Sequence, residues 1–116
     1  MRHRSTKVTL DRKSAARRAL LSGLAQSVIL YERVQTTRGK AKAVRPYLER
    51  LIEYGKEGTL AGRRKLLAEL PDELAVKKTI EVLGPRYMQR TGGYVRLTNL
   101  PPRKGDGAEV MQIELL

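Results

Sequence analysis

The sequence of 116 residues contains no cysteine and a single histidine, His3. Without cysteine the chain has no disulfide framework, no zinc knuckle, no cysteine-ligated iron–sulfur cluster and no thiol nucleophile. A Ser-His-Asp triad would need His3 as its base. His3 lies in a segment without a periodic apolar pattern, so nothing in the sequence holds it against a core. The sequence also lacks a GxxxxGK[ST] loop and a GxGxxG turn. These absences predict a protein that is not an enzyme and that uses no cofactor or metal.

Acidic residues and long apolar runs are also scarce. The chain has 12 acidic against 24 basic residues, a net charge of +12, which points to a polyanionic partner. The longest apolar stretch, residues 24–31, is interrupted by Gln26 and Ser27 and is too short to span a bilayer. No apolar segment of a secretory signal follows the N-terminus. We expect a soluble protein of the cytoplasm, with no membrane and no small-molecule substrate among its partners.

The length predicts one domain. Residues 1–10 show no helical apolar period, so we expect an extended basic arm, with residues 11–116 as a single globular domain. Asp11 is the expected N-cap of a first helix over residues 12–32. The predicted apolar face of this helix comprises Ala16, Leu20, Leu24, Val28 and Tyr31.

The remaining pattern predicts a strand at 33–37 and a second helix that begins after Thr36 or Thr37 and that Pro46 should kink or break. A third helix follows Thr59, and a fourth begins at Pro71-Asp72 and should stop at Gly84-Pro85. Two alternating segments, 94–98 and 110–115, predict strands, with Met111, Ile113 and Leu115 facing the core. The order α-β-α-α-α-β-β is typical of a two-layer α+β fold, in which helices cover one face of a small mixed sheet.

Basic residues fall into separate groups, the first of which spans the arm and the start of the first helix. This group could be a solvated charge run, but phosphate neutralisation would relieve its self-repulsion. A second group opens the second helix, where cations oppose the helix dipole and therefore indicate an anion beside the free amides and the hydroxyls of Thr36 and Thr37. A third group, which includes Arg63 and Arg64, is equally well explained as a solvated face. The first two groups are Arg2, His3, Arg4, Lys7, Arg12, Lys13, Arg17 and Arg18, and then Arg38, Lys40, Lys42 and Arg45.

A fourth group interleaves arginine, tyrosine and glycine: Arg86, Tyr87, Arg90, Gly92, Gly93, Tyr94 and Arg96. Tyrosine rings and guanidinium planes stack on unpaired bases, and glycines let the backbone approach a ligand closely. The alternative is that Tyr87 and Tyr94 pack on the edge of the sheet. Arg103 and Lys104 add a basic hairpin tip. Because the charge lies on several elements and not on one recognition helix, the pattern favours a structured RNA over a regular duplex.

Several motifs stand in a fixed order from residue 1 to the end: Met1-Arg2-His3-Arg4, Thr36-Thr37 before Lys40-Ala41-Lys42, Leu83-Gly84-Pro85-Arg86-Tyr87, and Gly92-Gly93-Tyr94. In these motifs the chain resembles ribosomal protein seventeen of the bacterial large subunit. The resemblance implies a constituent of the 50S subunit that binds large-subunit ribosomal RNA and packs beside neighbouring ribosomal proteins. It implies RNA contacts at Arg2, His3, Arg4, Arg12, Arg17, Thr36, Thr37, Lys40, Lys42, Arg86, Arg90, Gly92, Gly93, Tyr94 and Arg96.

Two other classes stay open from the residues themselves. One is a small DNA-binding architectural or regulatory protein, which would bind duplex DNA. The other is a protein-interaction module whose basic faces meet an acidic protein. The salt dependence of binding, and competition between structured RNA and duplex DNA, would separate these classes.

Overall fold

The computed structural model describes Leu10 and residues 13–116, and in this part of the chain helices and strands follow the predicted order. The elements are α1 (Ser14–Tyr31), β1 (Arg33–Thr37), α2 (Arg38–Glu57), α3 (Leu60–Glu69), α4 (Glu73–Lys78), a π-helical turn (Thr79–Leu83), α5 (Gly84–Arg86), β2 (Val95–Leu100) and β3 (Val110–Leu115). The predicted α+β class is therefore confirmed. The predicted arm before Leu10, and the predicted cap Asp11, lie outside the described residues.

The three strands form one sheet in the order β1-β3-β2, with β3 in the centre. Both pairs are antiparallel, and Ile113 of β3 is opposite Val34 on one side and Leu97 on the other. The prediction of a mixed sheet is therefore wrong. A period of two in the sequence shows that a strand has two different faces, but it carries no information about strand direction.

The core lies between the inner face of this sheet and the helices. Met111, Ile113 and Leu115 of β3 are buried, as predicted. The predicted stripe of α2 is also confirmed, because every member is fully buried: Ala41, Val44, Leu48, Leu51 and Ile52. Helix α2 is thus the central helix, and the loops and strand ends that surround it are positioned by contacts with its sides.

The predicted apolar face of α1 is confirmed at Val28 and in part at Leu24, which is partly buried against the core, and it is wrong at Ala16 and Tyr31. The buried residues are Ser22, Ala25, Val28 and Ile29, whereas Ala16 is exposed and Tyr31 is 73% exposed. These four residues lie between Ser22 and Ile29, in the part of the helix that packs on the core, whereas Ser14, Ala15 and Ala16 at its start are exposed. A single apolar face predicted over the full length of α1 therefore includes residues from two different environments, one buried and one exposed.

Proline does not end either helix in which it was expected to act. Helix α2 continues through Pro46, whose side chain is exposed while Val44 and Tyr47 on either side are buried. The fourth helix comprises α4, the π-helical turn and α5, which follow one another without a break. It continues past Gly84-Pro85 and ends at Arg86, so the predicted stop is wrong. The π-helical turn changes the hydrogen-bond register here, because the Gly84 N–H donates to the Thr79 carbonyl. Pro85 then lies in a new first turn, where its missing N–H has no cost.

Candidate nucleic-acid interface

The start of α2 carries N–H groups that have no hydrogen-bond acceptor among the described residues. Thr37 holds the N-cap position, but its hydroxyl caps no N–H group, and the N–H of Arg38 donates to the Glu109 carbonyl at 3.0 Å. Gly39 and Lys40 follow in the first turn, where N–H groups have no intrahelical acceptor. The first turn contains no acidic residue. The positive end of the helix dipole and the nearby lysines therefore face the same region.

The cations of this region differ in how their charge is compensated. Arg38 pairs with the Glu109 carboxylate at 3.0 Å. In the described part of the chain, Lys40, Lys42 and Arg45 form no ion pair. Three positive charges over less than two turns of helix thus lack a protein partner among these residues, as an anion-binding surface requires.

Leu10 connects this region to the basic N-terminal residues. A Cβ atom built on Gly39 would lie 3.9 Å from Cδ2 of Leu10, so the chain passes beside the first turn of α2 at this point. The predicted contacts Arg2, His3, Arg4, Lys7 and Arg12 lie outside the described residues. Of the remaining residues in that group, Lys13 and Arg18 are exposed and Arg17 is half-buried at the start of α1.

The two tyrosines of the fourth group lie in the core. Tyr94 is fully buried and Tyr87 is 3% exposed, with ring centroids 5.0 Å apart. The Tyr87 hydroxyl donates to the Leu116 carbonyl at 2.6 Å, and the Tyr94 hydroxyl donates to Glu53 and accepts a bond from Lys56 at 2.8 Å. The structure thus shows the packing alternative, and neither ring presents a face on which a base could stack.

Arg86 is held by an acid on another element. Its guanidinium contacts both oxygens of Glu32, at 2.5 and 3.2 Å, and Glu32 also accepts a bond from Lys78 at 3.0 Å. Glu32 follows α1 in a left-handed conformation, so this cluster fixes the end of α1 to the end of the fourth helix. The bonds from Arg86 and then Lys78 lower the pKa of Glu32 from 4.5 to about 2. The charge of Arg86 is therefore compensated within the protein.

The loop from Arg90 to Gly93, here called the glycine loop, lies beside Arg45 of the second basic group. Arg45, Pro46, Glu49 and Gly93 line one shallow depression on the surface. Nη1 of Arg90 donates to the Gly93 carbonyl at 3.0 Å, and Gly93 has a φ of +67°, a left-handed conformation that favours glycine. The tertiary structure thus brings together two groups that are about fifty residues apart in the chain.

The other predicted residues lie elsewhere. Arg63 and Arg64 are exposed on α3, which contacts the C-terminal end of α2, about 25 Å along the helix from Lys40. Arg96 is exposed on the outer sheet face opposite Glu114. Arg103 pairs with Asp106 at 2.6 Å, a bond that lowers the pKa of Asp106 to about 2, and Lys104 is exposed beside it.

Three residues of α2 that organise the loop were missed from the sequence: Glu49, Glu53 and Lys56. They stand at positions i, i+4 and i+7 and so share one face of the helix. Glu49 accepts the N–H groups of Tyr94 and Val95, and Lys56 donates to the Arg90 carbonyl. The helical spacing was visible in the sequence, but it does not reveal which segment packs on that face.

No group of three or more histidine, cysteine, aspartate or glutamate residues that could hold a metal exists within the described residues. No helix in the same part of the chain has the length and apolar character needed to cross a membrane. The fold and the charge distribution define a small, strongly basic, two-layer α+β protein whose cations lie on several separate elements.

Comparison with known proteins gives the family. The family described as Ribosomal protein L17 matches residues 20–116. The large ribosomal subunit protein bL17 of Hydrogenobaculum sp. (strain Y04AAS1) is 45% identical over 117 residues, which cover 100% of this chain and 99% of that protein. Proteins of the same name from Solibacter usitatus (strain Ellin6076) and Acidobacterium capsulatum are 50% and 46% identical over the whole chain and 77% and 72% of their own lengths.

The chain therefore belongs to the ribosomal protein L17 family. It is a structural constituent of the large ribosomal subunit, located with the ribosome in the cytoplasm, and not an enzyme. The resemblance inferred from the sequence motifs is confirmed.

Proposed function

We propose that this chain binds large-subunit ribosomal RNA through one continuous surface and packs beside neighbouring ribosomal proteins. The surface comprises the first two turns of α2 and the loop from Arg90 to Gly93. We propose Arg2, His3, Arg4 and Lys7, which precede Leu10 in the sequence, as further RNA contacts. Lys13, Arg17, Arg18, Arg63, Arg64, Arg96 and Lys104 lie on other elements and serve as additional phosphate contacts, whereas the charge of Arg103 is compensated by Asp106.

The observation that carries this proposal is the set of uncompensated cations on α2. Lys40, Lys42 and Arg45 form no ion pair with described residues, whereas Arg38, Arg86 and Arg103 are each paired with an acid. Unpaired cations next to free helix amides suit phosphate, and neutralising phosphates releases the counterions that RNA condenses. Such a surface follows a backbone of RNA without needing a particular base sequence.

The first test is fractionation of native lysate on a sucrose gradient, with the protein quantified before and after a high-salt wash. Binding through many contacts within an assembled particle predicts one copy per large subunit after the wash. Peripheral phosphate contacts alone would weaken by orders of magnitude over a few-fold rise in salt. Release of the protein by the wash, or its comigration with chromosomal DNA, would contradict the proposal.

The second test removes two of the uncompensated charges. Lys40→Ala with Lys42→Ala should lower affinity for structured large-subunit RNA by about tenfold and reduce the salt slope by about 2. The matched control is Arg50→Ala with Lys77→Ala, which removes the same charge from exposed positions outside the surface. Equal losses in the two double variants would mean that net charge, and not this surface, determines binding. Duplex DNA as competitor tests the DNA-binding alternative directly.

A further inference from the structure

Glu49 connects α2 to the segment that leads into β2. Its Oε2 accepts the N–H of Tyr94 and its Oε1 accepts the N–H of Val95, both at 3.2 Å. One carboxylate thus takes two successive backbone donors from a segment about 45 residues away. Hydrogen bonds from neutral donors to a charged acceptor are stronger than those between neutral groups, and two of them here join α2 to the start of β2.

This attachment lies beside Arg45. Arg45 and Glu49 are one helical turn apart, a spacing at which opposite charges usually attract. Among the described residues they form no ion pair. The Glu49 carboxylate accepts the N–H groups of Tyr94 and Val95, and the side chain of Arg45 beside it is exposed.

Gly93, which lines the depression, and Gly92 before it face open space among the described residues. A Cβ atom built on Gly92 or Gly93 would meet no atom of the described chain within 4 Å. Packing among the described residues therefore does not require small residues at these two positions. An open backbone beside the unpaired Arg45 suits close approach by an external group.

We propose that Glu49 is a positioning residue for RNA binding. By holding the N–H groups of Tyr94 and Val95, it places Gly93 beside Arg45, so that one RNA backbone segment contacts both. This inference rests on the proposed function, because it concerns the same surface. Glu49 itself touches no RNA; it acts through the position of the loop.

The direction in which one substitution changes the affinity for RNA tests the proposal. Glu49→Gln keeps the size of the side chain, but its amide group places a donor against a backbone N–H, so one of the two bonds is lost. It also removes a negative charge, which by charge alone would strengthen binding to RNA. Positioning predicts the reverse: affinity for structured large-subunit RNA falls by roughly three- to tenfold and the salt slope falls by about 1.

The control is Glu81→Gln, which makes the same change of charge at an exposed residue of the π-helical turn. This variant should bind RNA as well as the unmodified protein or slightly better. If Glu49→Gln binds as tightly as Glu81→Gln, the positioning role is refuted. If the unmodified protein itself shows no affinity for structured RNA, the proposed function fails instead, so the two failures are distinguishable.

A double-mutant cycle separates positioning from general stability. If Glu49 acts through the placement of the loop beside Arg45, Glu49→Gln should weaken binding much less in a protein that already carries Arg45→Ala. Additive losses in folded proteins, verified by thermal unfolding, would overturn the proposal. If Glu49→Gln does not fold, Glu49→Asp takes its place in the cycle. That variant keeps the charge but withdraws the carboxylate by one methylene, and the same non-additive weakening is expected.

Discussion

The guanidinium of Arg86 contacts both carboxylate oxygens of Glu32 across 54 positions of sequence. Glu32 ends α1, and Arg86 ends the fourth helix, so the pair joins two elements that form separately along the chain. Lys78 donates to the same carboxylate and to the Leu30 carbonyl. The residue that sequence motifs place in an RNA-binding group thus has a defined structural role in the protein.

The Glu32 cluster predicts a dependence of stability on pH. Because the pKa of Glu32 falls from 4.5 in the unfolded chain to about 2 in the folded protein, its ion pairs stabilise the fold fully above pH 4.5. This contribution is lost as the pH falls from about 4.5 towards 2. Glu32→Gln should lower the free energy of unfolding at pH 7 by about 1 kcal/mol, a value already reduced for solvent screening of the partly exposed pair.

The measurement is denaturant unfolding of the unmodified protein and of Glu32→Gln between pH 2 and 7. The variant should lose part of the acid sensitivity, and the remainder includes Asp106, whose pKa is also lowered to about 2. Glu81→Gln is the control and should follow the unmodified protein. Identical pH profiles for Glu32→Gln and the unmodified protein would show that the cluster does not stabilise the fold.

Two glycines should respond to alanine in opposite directions. A Cβ atom on Gly55 of α2 would lie 2.7 Å from the Thr79 carbonyl oxygen, so Gly55→Ala should destabilise the protein by about 1–3 kcal/mol through overpacking. Gly23 is exposed in α1 with no atom within 4 Å of such a Cβ. Gly23→Ala should stabilise by about 0.5–1 kcal/mol through helix propensity. Thermal and denaturant unfolding measure both, and a stable Gly55→Ala protein would mean that α2 and the π-helical turn can separate without cost.

The buried hydroxyl of Tyr94 should matter for stability and not for base stacking. Burial, and the bond to Glu53, raise the pKa of Tyr94, and the hydroxyl joins Glu53 to Lys56. Tyr94→Phe keeps the ring but leaves these two groups without their common partner, which should cost about 1–2 kcal/mol of unfolding free energy. Tyr31→Phe, at a residue that is 73% exposed, is the control and should change stability by less than about 0.5 kcal/mol. Equal effects of the two substitutions would argue against the Glu53–Tyr94–Lys56 network.

Arg90 and Arg96 offer a test in the assembled particle. Both side chains are exposed. Among the described residues, the guanidinium of Arg90 donates to the Gly93 carbonyl and that of Arg96 forms no hydrogen bond. Arg90→Ala with Arg96→Ala should reduce incorporation into large subunits while the unfolding temperature changes little. Arg86 is left unmodified in this variant, because its loss would disrupt the Glu32 cluster. The control is Arg50→Ala with Lys77→Ala. If the Arg90→Ala, Arg96→Ala variant is incorporated as well as this control, the two arginines do not belong to the RNA interface.

The sequence by itself determined the features that depend on residues close together in the chain. The order of helices and strands follows from local periodicity, and the buried faces of α2 and β3 follow from spacings of 3.6 and 2 residues. The N-cap at Thr59 follows from its hydroxyl, which accepts the Gly62 N–H at 3.1 Å. The excess of basic residues and the ordered motifs were sufficient to indicate the family.

The tertiary structure alone decided the features that join distant segments. It placed Tyr87 and Tyr94 in the core, paired Arg86 with Glu32, and made the sheet antiparallel throughout. It also bound Glu49 to the segment that follows Gly93 and brought Gly93 beside Arg45. The physical reason is that periodicity records which sides of one element differ, whereas a contact between elements depends on how those sides pack together. A charged residue in the sequence therefore indicates a possible ligand contact, and only its neighbours in space show whether the protein already supplies the counter-charge.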